Sequence, residues 1–199
     1  MGSDANRLRK KWQDYSGEDA SKAESSFLET FQVVFQDTEY IVRPRPKEFN
    51  TIYVDFPLDT QTLNEIYTPP KPITKHGVFP DYAIGNTKNK KTVYIEVKRQ
   101  DGWVEGGKRS DGRGNAHERS CKFFTPGLQK ILRQYGNLGD DILPFWTVFQ
   151  GDITRDPCRV REITCWYGDL KGHFFFWRDT SNPEPLISHF EEYIQPLLI

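Results

Sequence analysis

Apolar residues recur along the chain in two rhythms, and the switches between them lay out the elements. From Ser21 to Phe35 the positions Phe27, Leu28, Phe31, Val34 and Phe35 keep helical spacing, which predicts an amphipathic helix. Tyr40–Val42 reads as a short strand and Ile52–Phe56 as a weak one. Thr60 to Tyr67 predicts a short helix that Pro69-Pro70 stops, because proline lacks the backbone N–H that a further turn needs. Two β-like runs follow: Val78, Phe79, Tyr82, Ala83 and Ile84, then Thr92, Val93, Tyr94, Ile95 and Val97. The polar stretch from Gly85 to Lys91 between them has the composition of a hairpin turn. Pro126-Gly127 is a break, and Leu128 to Tyr135 predicts the next helix. Phe145–Phe149 reads as a buried strand, and Asp156-Pro157 opens a helix with Val160, Ile163 and Tyr167 inward. Phe174–Trp177 is another buried strand. Leu186–Leu198 is a closing amphipathic helix that turns Ile187, Phe190, Tyr193, Ile194 and Leu197 inward. Strands interleaved with helices predict an α/β fold, a central mixed β-sheet flanked by helices.

Composition narrows the class. A chain of 199 residues has room for one domain, 1–199, with a proper core behind a polar arm at 1–20. Aromatic residues at 14% and charged residues at 28% exclude a disordered chain. A net charge of −1 excludes a polycation that holds nucleic acid by charge alone. The distribution says more than the sum. Between Lys98 and Lys122, seven Lys or Arg stand against four Asp or Glu, whereas Asp179 to Ile199 holds four acids and no Lys or Arg. That asymmetry suits a nucleic-acid cleft on one side only. Cys121, Cys158 and Cys165 lack C-x-x-C spacing and the four histidines are scattered, which argues against a zinc site and for a reducing compartment. With no apolar leader and no run of membrane-spanning length, a cytoplasmic protein is expected. Nothing resembles a phosphate-binding glycine loop or a serine-hydrolase elbow.

Chemistry concentrates at 77–98. Pro80-Asp81 is followed, after fourteen residues, by Glu96-Val97-Lys98. A hairpin places Asp81 and Glu96 on adjacent antiparallel strands, with Glu96 and Lys98 on the same face. Two carboxylates suit a hard, small cation such as Mg²⁺, with Asp81, Glu96 and the Val97 carbonyl as its ligands. A cation there assists phosphodiester hydrolysis, while Lys98 orients or helps deprotonate the attacking water and offsets transition-state charge. The competing reading is a surface ion pair on a solvated strand.

The stretch 99–124 combines a long glycine-rich loop with a polar run, Gly114-Asn115-Ala116-His117-Glu118-Arg119-Ser120-Cys121-Lys122, expected to form a recognition loop and helix. Asparagine can bridge two edge atoms of adenine and arginine two of guanine, while Gly114 and Ala116 allow close approach of the backbone. Asn115 also suits a helix N-cap, with Glu118 completing a capping box. His117 suits either a DNA contact or helix packing. Ser120 and Lys122 suit phosphate contacts that set register. Glu24, Trp103, the basic stretch Arg43–Lys47, and Arg155, Arg159 and Arg161 are further positions that either face DNA or serve packing and solvation.

The P-D…E-x-K spacing resembles the core of the PD-(D/E)xK nucleases, and the G-N-A-x-E-R-S-x-K run is similar to the DNA-reading segment of the EcoRI-like restriction endonucleases. The likeness is densest to the MunI-type branch, at KRQDGWVEG (98–106), GRGNAHERSCK (112–122), FTPGL (124–128), ILPFW (142–146), GDITRDP (151–157) and VREIT (160–164). The resemblance implies a type II restriction endonuclease in which Asn115, Ala116 and Arg119 read an inner AATT. Arg113 would read the guanine of the outer pair, favouring CAATTG over GAATTC. It further implies a homodimer on a palindromic site, Mg²⁺ as cofactor, a cut ahead of AATT that leaves a 5′ overhang, and a cognate DNA methyltransferase in the same system. Two alternatives stay open: a PD-(D/E)xK repair or junction nuclease selective for DNA structure, and a DNA-binding module whose acidic pair is structural.

Overall fold

The computed structural model describes residues 27–100 and 117–199. Five strands form one sheet in chain order: β1 (Tyr40–Pro44), β2 (Tyr82–Asn86), β3 (Thr92–Arg99), β4 (Phe145–Gln150) and β5 (Phe174–Trp177). The β1–β2 and β2–β3 pairs are antiparallel, and β3–β4 and β4–β5 are parallel, so the sheet is mixed. The helices are α1 (Phe27–Val34), α2 (Thr60–Glu65), α3 (Pro126–Gly136), α4 (Pro157–Tyr167) and α5 (Glu184–His189), with a 3₁₀ segment at Glu118–Phe124.

Alternation along β3 and β4 divides the interior. Val93 and Ile95, with Trp146 and Val148 of β4, face one apolar cluster, which α1 and the C-terminal segment close with Phe27, Phe31, Ile187, Phe190 and Ile194. Tyr94, Phe145 and Phe149 face the other, closed by Phe123, Leu132, Ile163 and Tyr167. Glu96 and Lys98 share the parity of Tyr94, and their partners on β4 are Thr147 and Phe149. The face that carries Glu96 and Lys98 is therefore also the face that packs against α3 and α4.

Caps account for several boundaries. Asp59 accepts a hydrogen bond from Thr62 N–H at the start of α2, and Asp156 accepts from Cys158 and Arg159 N–H at the start of α4. Pro126 and Pro157 occupy the first turns of α3 and α4, where a missing N–H costs nothing. Three expectations change. Residues 52–56 form turns, not a strand. The segment after His117 is 3₁₀-helical over Glu118–Phe124 and has no side-chain cap. The closing helix passes from α-helix into a π-helical turn at Phe190–Ile194 and a 3₁₀ turn at Gln195–Leu198. The wider turn rotates the apolar face, so Leu198 is buried while Tyr193 is 42% exposed.

His189, at the end of α5, stacks on buried Trp146 with ring centroids 5.5 Å apart. Burial holds its imidazole down at a pKa of about 4, against the smaller opposing effect of hydrogen bonds with the backbone at Phe174 and Lys171. A depressed histidine is neutral in the fold and takes up its proton on unfolding. Its contribution is complete above the unfolded value near 6.5 and is lost as pH falls toward 4. The unfolding free energy from urea titrations is expected to fall between pH 6.5 and 4, by up to about 3 kcal/mol from this group. His189→Phe, which keeps the stack, is expected to flatten that slope.

Candidate active site

The hairpin brings Asp81 and Glu96 together. Asp81 stands immediately before β2, and its Oδ2 accepts a hydrogen bond from the Val97 backbone N–H at 2.8 Å. Its carbonyl accepts from Arg45 N–H at 2.9 Å, so both neighbouring strands fix the residue. Glu96, only 5% exposed, lies on β3, and its Oε1 forms a tight ion pair with the Lys98 ammonium. Its second oxygen, Oε2, is buried and has no hydrogen-bond partner among the described residues. Burial pushes the Glu96 carboxyl above the usual range; Lys98 opposes this, the Asp81 charge adds to it, and Lys122 weakly opposes it. Two acids and two cations thus converge on one end of β3.

This donor set fits a divalent cation. An uncompensated carboxylate oxygen beside a second carboxylate is a poor resting arrangement and a good hard-ion ligand. Among the described residues no group of three or more His, Cys, Asp or Glu gathers at a point. Because Glu96 is raised, a proton competes for it at higher pH than for a glutamate at the ordinary 4.5. Metal affinity requires the ionised form. Half-saturating Mn²⁺, followed by electron paramagnetic resonance, is therefore expected to rise on acidification already above that ordinary range.

Behind Glu96, Tyr167 of α4 donates its phenolic hydrogen to Thr147 Oγ1 at 2.6 Å, and both residues are buried. Thr147 is the cross-strand partner of Glu96. Burial also drives the Tyr167 phenol well above its ordinary pKa, so it stays a hydrogen-bond donor.

Arg113, Gly114, Asn115 and Ala116 lie outside the described residues, as do Glu24 and Trp103. Arg119 and Lys122 are exposed on the 3₁₀ segment. His117 and Ser120, expected among the DNA contacts, turn inward instead. The His117 ring is fully buried, stacks on Trp166 at 5.2 Å with planes 8° apart, and bonds through Nε2 to Glu162 Oε2 at 3.0 Å. Burial lowers its pKa, so the neutral ring donates that hydrogen bond. Ser120 Oγ donates to the His117 carbonyl at 2.6 Å and is buried with it. Packing and local backbone bonding engage both residues here. Of the other basic positions, Arg43 pairs with Glu48 at 2.8 Å, Arg159 forks onto Glu162 at 3.0 and 2.7 Å, and Arg161 donates to the Pro157 carbonyl at 2.9 Å.

Sequence reasoning missed Thr147, Tyr167, Glu162 and Trp166 as neighbours of the site. Arg159, Glu162 and Trp166 are spaced three and four residues apart, which puts them on one helical face. That signal was present. No local pattern could show that the face meets His117.

A mixed sheet that offers an aspartate at the mouth of one strand, and a glutamate and lysine from the next, has the architecture of a PD-(D/E)xK phosphodiesterase. Comparison with known proteins is more specific. The family model for type II restriction enzyme MunI matches residues 1–199. The type II restriction enzyme MunI of a Mycoplasma species is 47% identical over 201 residues, covering 100% of both chains. The crystal structure of MunI restriction endonuclease in complex with cognate DNA superposes with a TM-score of 0.85 at 47% identity, covering 94% of this chain and 97% of that one. The chain belongs to the MunI family of type II restriction enzymes, and its activity is that of a site-specific deoxyribonuclease. No helix among the described residues is long and apolar enough to cross a membrane.

Proposed function

We propose that this enzyme, a single domain spanning 1–199, works in the cytoplasm as a homodimer that binds double-stranded CAATTG and cuts each strand ahead of AATT, with Mg²⁺ as cofactor. The observation that carries the catalytic half is the clasp of Asp81 onto Val97 beside the Glu96–Lys98 pair. Asp81, Glu96 and the Val97 carbonyl would hold the cation. When bound, it supplies Lewis-acid polarisation of the scissile phosphate. Lys98, freed from Glu96, orients the attacking water and offsets negative charge at the phosphorus.

The reading half is assigned to Arg113, Gly114, Asn115, Ala116 and Arg119, with Lys122 on phosphate. It is supported by the residue types, by the exposure of Arg119 and Lys122, and by a relative solved on its cognate DNA. A palindromic site and a two-fold protein match one another, which is the argument for the dimer. A methyltransferase of the same specificity would spare host DNA. Plasmid digestion tests the reading: discrete fragments defined by one hexamer are expected. Nicking that follows junctions or flaps would point instead to a structure-selective nuclease.

A further inference from the structure

The reading segment enters the described structure at His117, and helix α4 holds that residue from two directions. The imidazole lies flat against Trp166 and bonds to Glu162, and Arg159 pins Glu162 with two contacts. The His117 carbonyl is in turn fixed by Ser120, through both its N–H at 3.1 Å and its hydroxyl at 2.6 Å. Arg119 lies between these two anchored residues and is exposed. The last residue of α4, Tyr167, bonds to Thr147 beside Glu96. One short helix thus grips both the reading segment, at His117, and β4 at the cross-strand partner of Glu96.

We propose that Arg159, Glu162 and Trp166 are positioning residues for sequence discrimination, acting through His117 to fix the adjoining base-reading residues relative to the catalytic strand. This rests on the assignment of base reading to Arg113–Ala116 and Arg119. Base-edge hydrogen bonds tolerate little displacement, and a reader is only as selective as the shell that holds it. His117 touches no base in this arrangement, since its side chain is enclosed. Glu162 is 39% exposed at its side chain but is the partner of the buried His117 ring, so Glu162→Gln, which keeps an acceptor there, separates placement from stability. What Glu162→Ala removes is the fixed placement of His117.

The test compares affinities for a CAATTG duplex and for the same duplex with one inner base pair changed, by fluorescence anisotropy in Ca²⁺ on the full chain. Glu162→Ala and Trp166→Ala are expected to shrink the ratio of the two affinities about tenfold or more. Glu162→Gln, which keeps an acceptor for His117, and Trp166→Phe, which keeps a ring to stack on, are expected to restore most of it at a melting temperature close to wild type. Arg119→Ala serves as the comparison. If it collapses the ratio while Glu162→Ala and Trp166→Ala leave it intact, or weaken both duplexes equally, the positioning role is wrong although the segment reads bases. If Arg119→Ala leaves the ratio intact, the assignment of reading falls and the positioning role falls with it.

Discussion

Asp81→Ala is expected to lose cleavage by about a thousandfold or more while binding its site at neutral pH without any divalent metal. The two halves of that result have one cause. In the resting enzyme, Asp81 and Glu96 place negative charge together at the end of β3, and Lys98 and the backbone Val97 N–H offset only part of it. A scissile phosphate brought into that place adds a third negative group. Specific binding by the unaltered enzyme should therefore require a divalent cation or a proton on a carboxylate. Deleting Asp81 removes both the repulsion and a cation ligand. Gel shifts in chelator check the first half and single-turnover cleavage in Mg²⁺ the second. Equal metal-free affinities for variant and parent would show that the carboxylates do not face the phosphate.

Lys98→Ala carries the other large effect, and it reads out twice. Cleavage should again fall by about a thousandfold, because the ammonium paired with Glu96 is removed from beside the reacting phosphate. Stability should also fall, on the order of 3 kcal/mol at neutral pH, since a buried carboxylate loses its tightest partner. The sign of the pH dependence follows from Glu96 being raised already. Its neutral form is the better tolerated in the fold, so the deficit is largest above the folded pKa and disappears on acidification as Glu96 takes a proton. Chemical denaturation across pH measures this directly. A variant that keeps full nuclease activity would leave the acidic pair with a purely structural role.

Much of this site was legible in the chain because its signals are local. Alternation and turn composition between Ile84 and Thr92 determine the hairpin, and with it the approach of Asp81 to Glu96. The observed register pairs Tyr82 with Ile95 and Gly85 with Thr92. The mixed sheet also followed from element order. What the chain did not show depends on contacts between distant segments. Nothing near His117 announces that its ring will be buried between Trp166 and Glu162, about fifty residues further along. The inward turn of Ser120 follows from the same burial. The weak strand at 52–56 failed for a different reason. Its β-branched and aromatic content was sufficient for the propensity, yet Val54 N–H closes a turn onto the Thr51 carbonyl and Tyr53 N–H bonds the His76 carbonyl, which lies in no strand. At the C-terminus, a strict helical period assigned Tyr193 inward. The π-helical turn moves it out against Gly172, where its ring fills the space a side chain would need.

If one chain joins a two-carboxylate phosphodiesterase to a reader of AATT, the ends it produces must carry the mark of both. Purified enzyme is incubated with phage DNA and Mg²⁺, and every new terminus is sequenced. The expected result is 5′-AATT overhangs, each flanked by the outer C·G pair of CAATTG. Termini scattered over unrelated sequences, or clustered at junctions regardless of sequence, would contradict it.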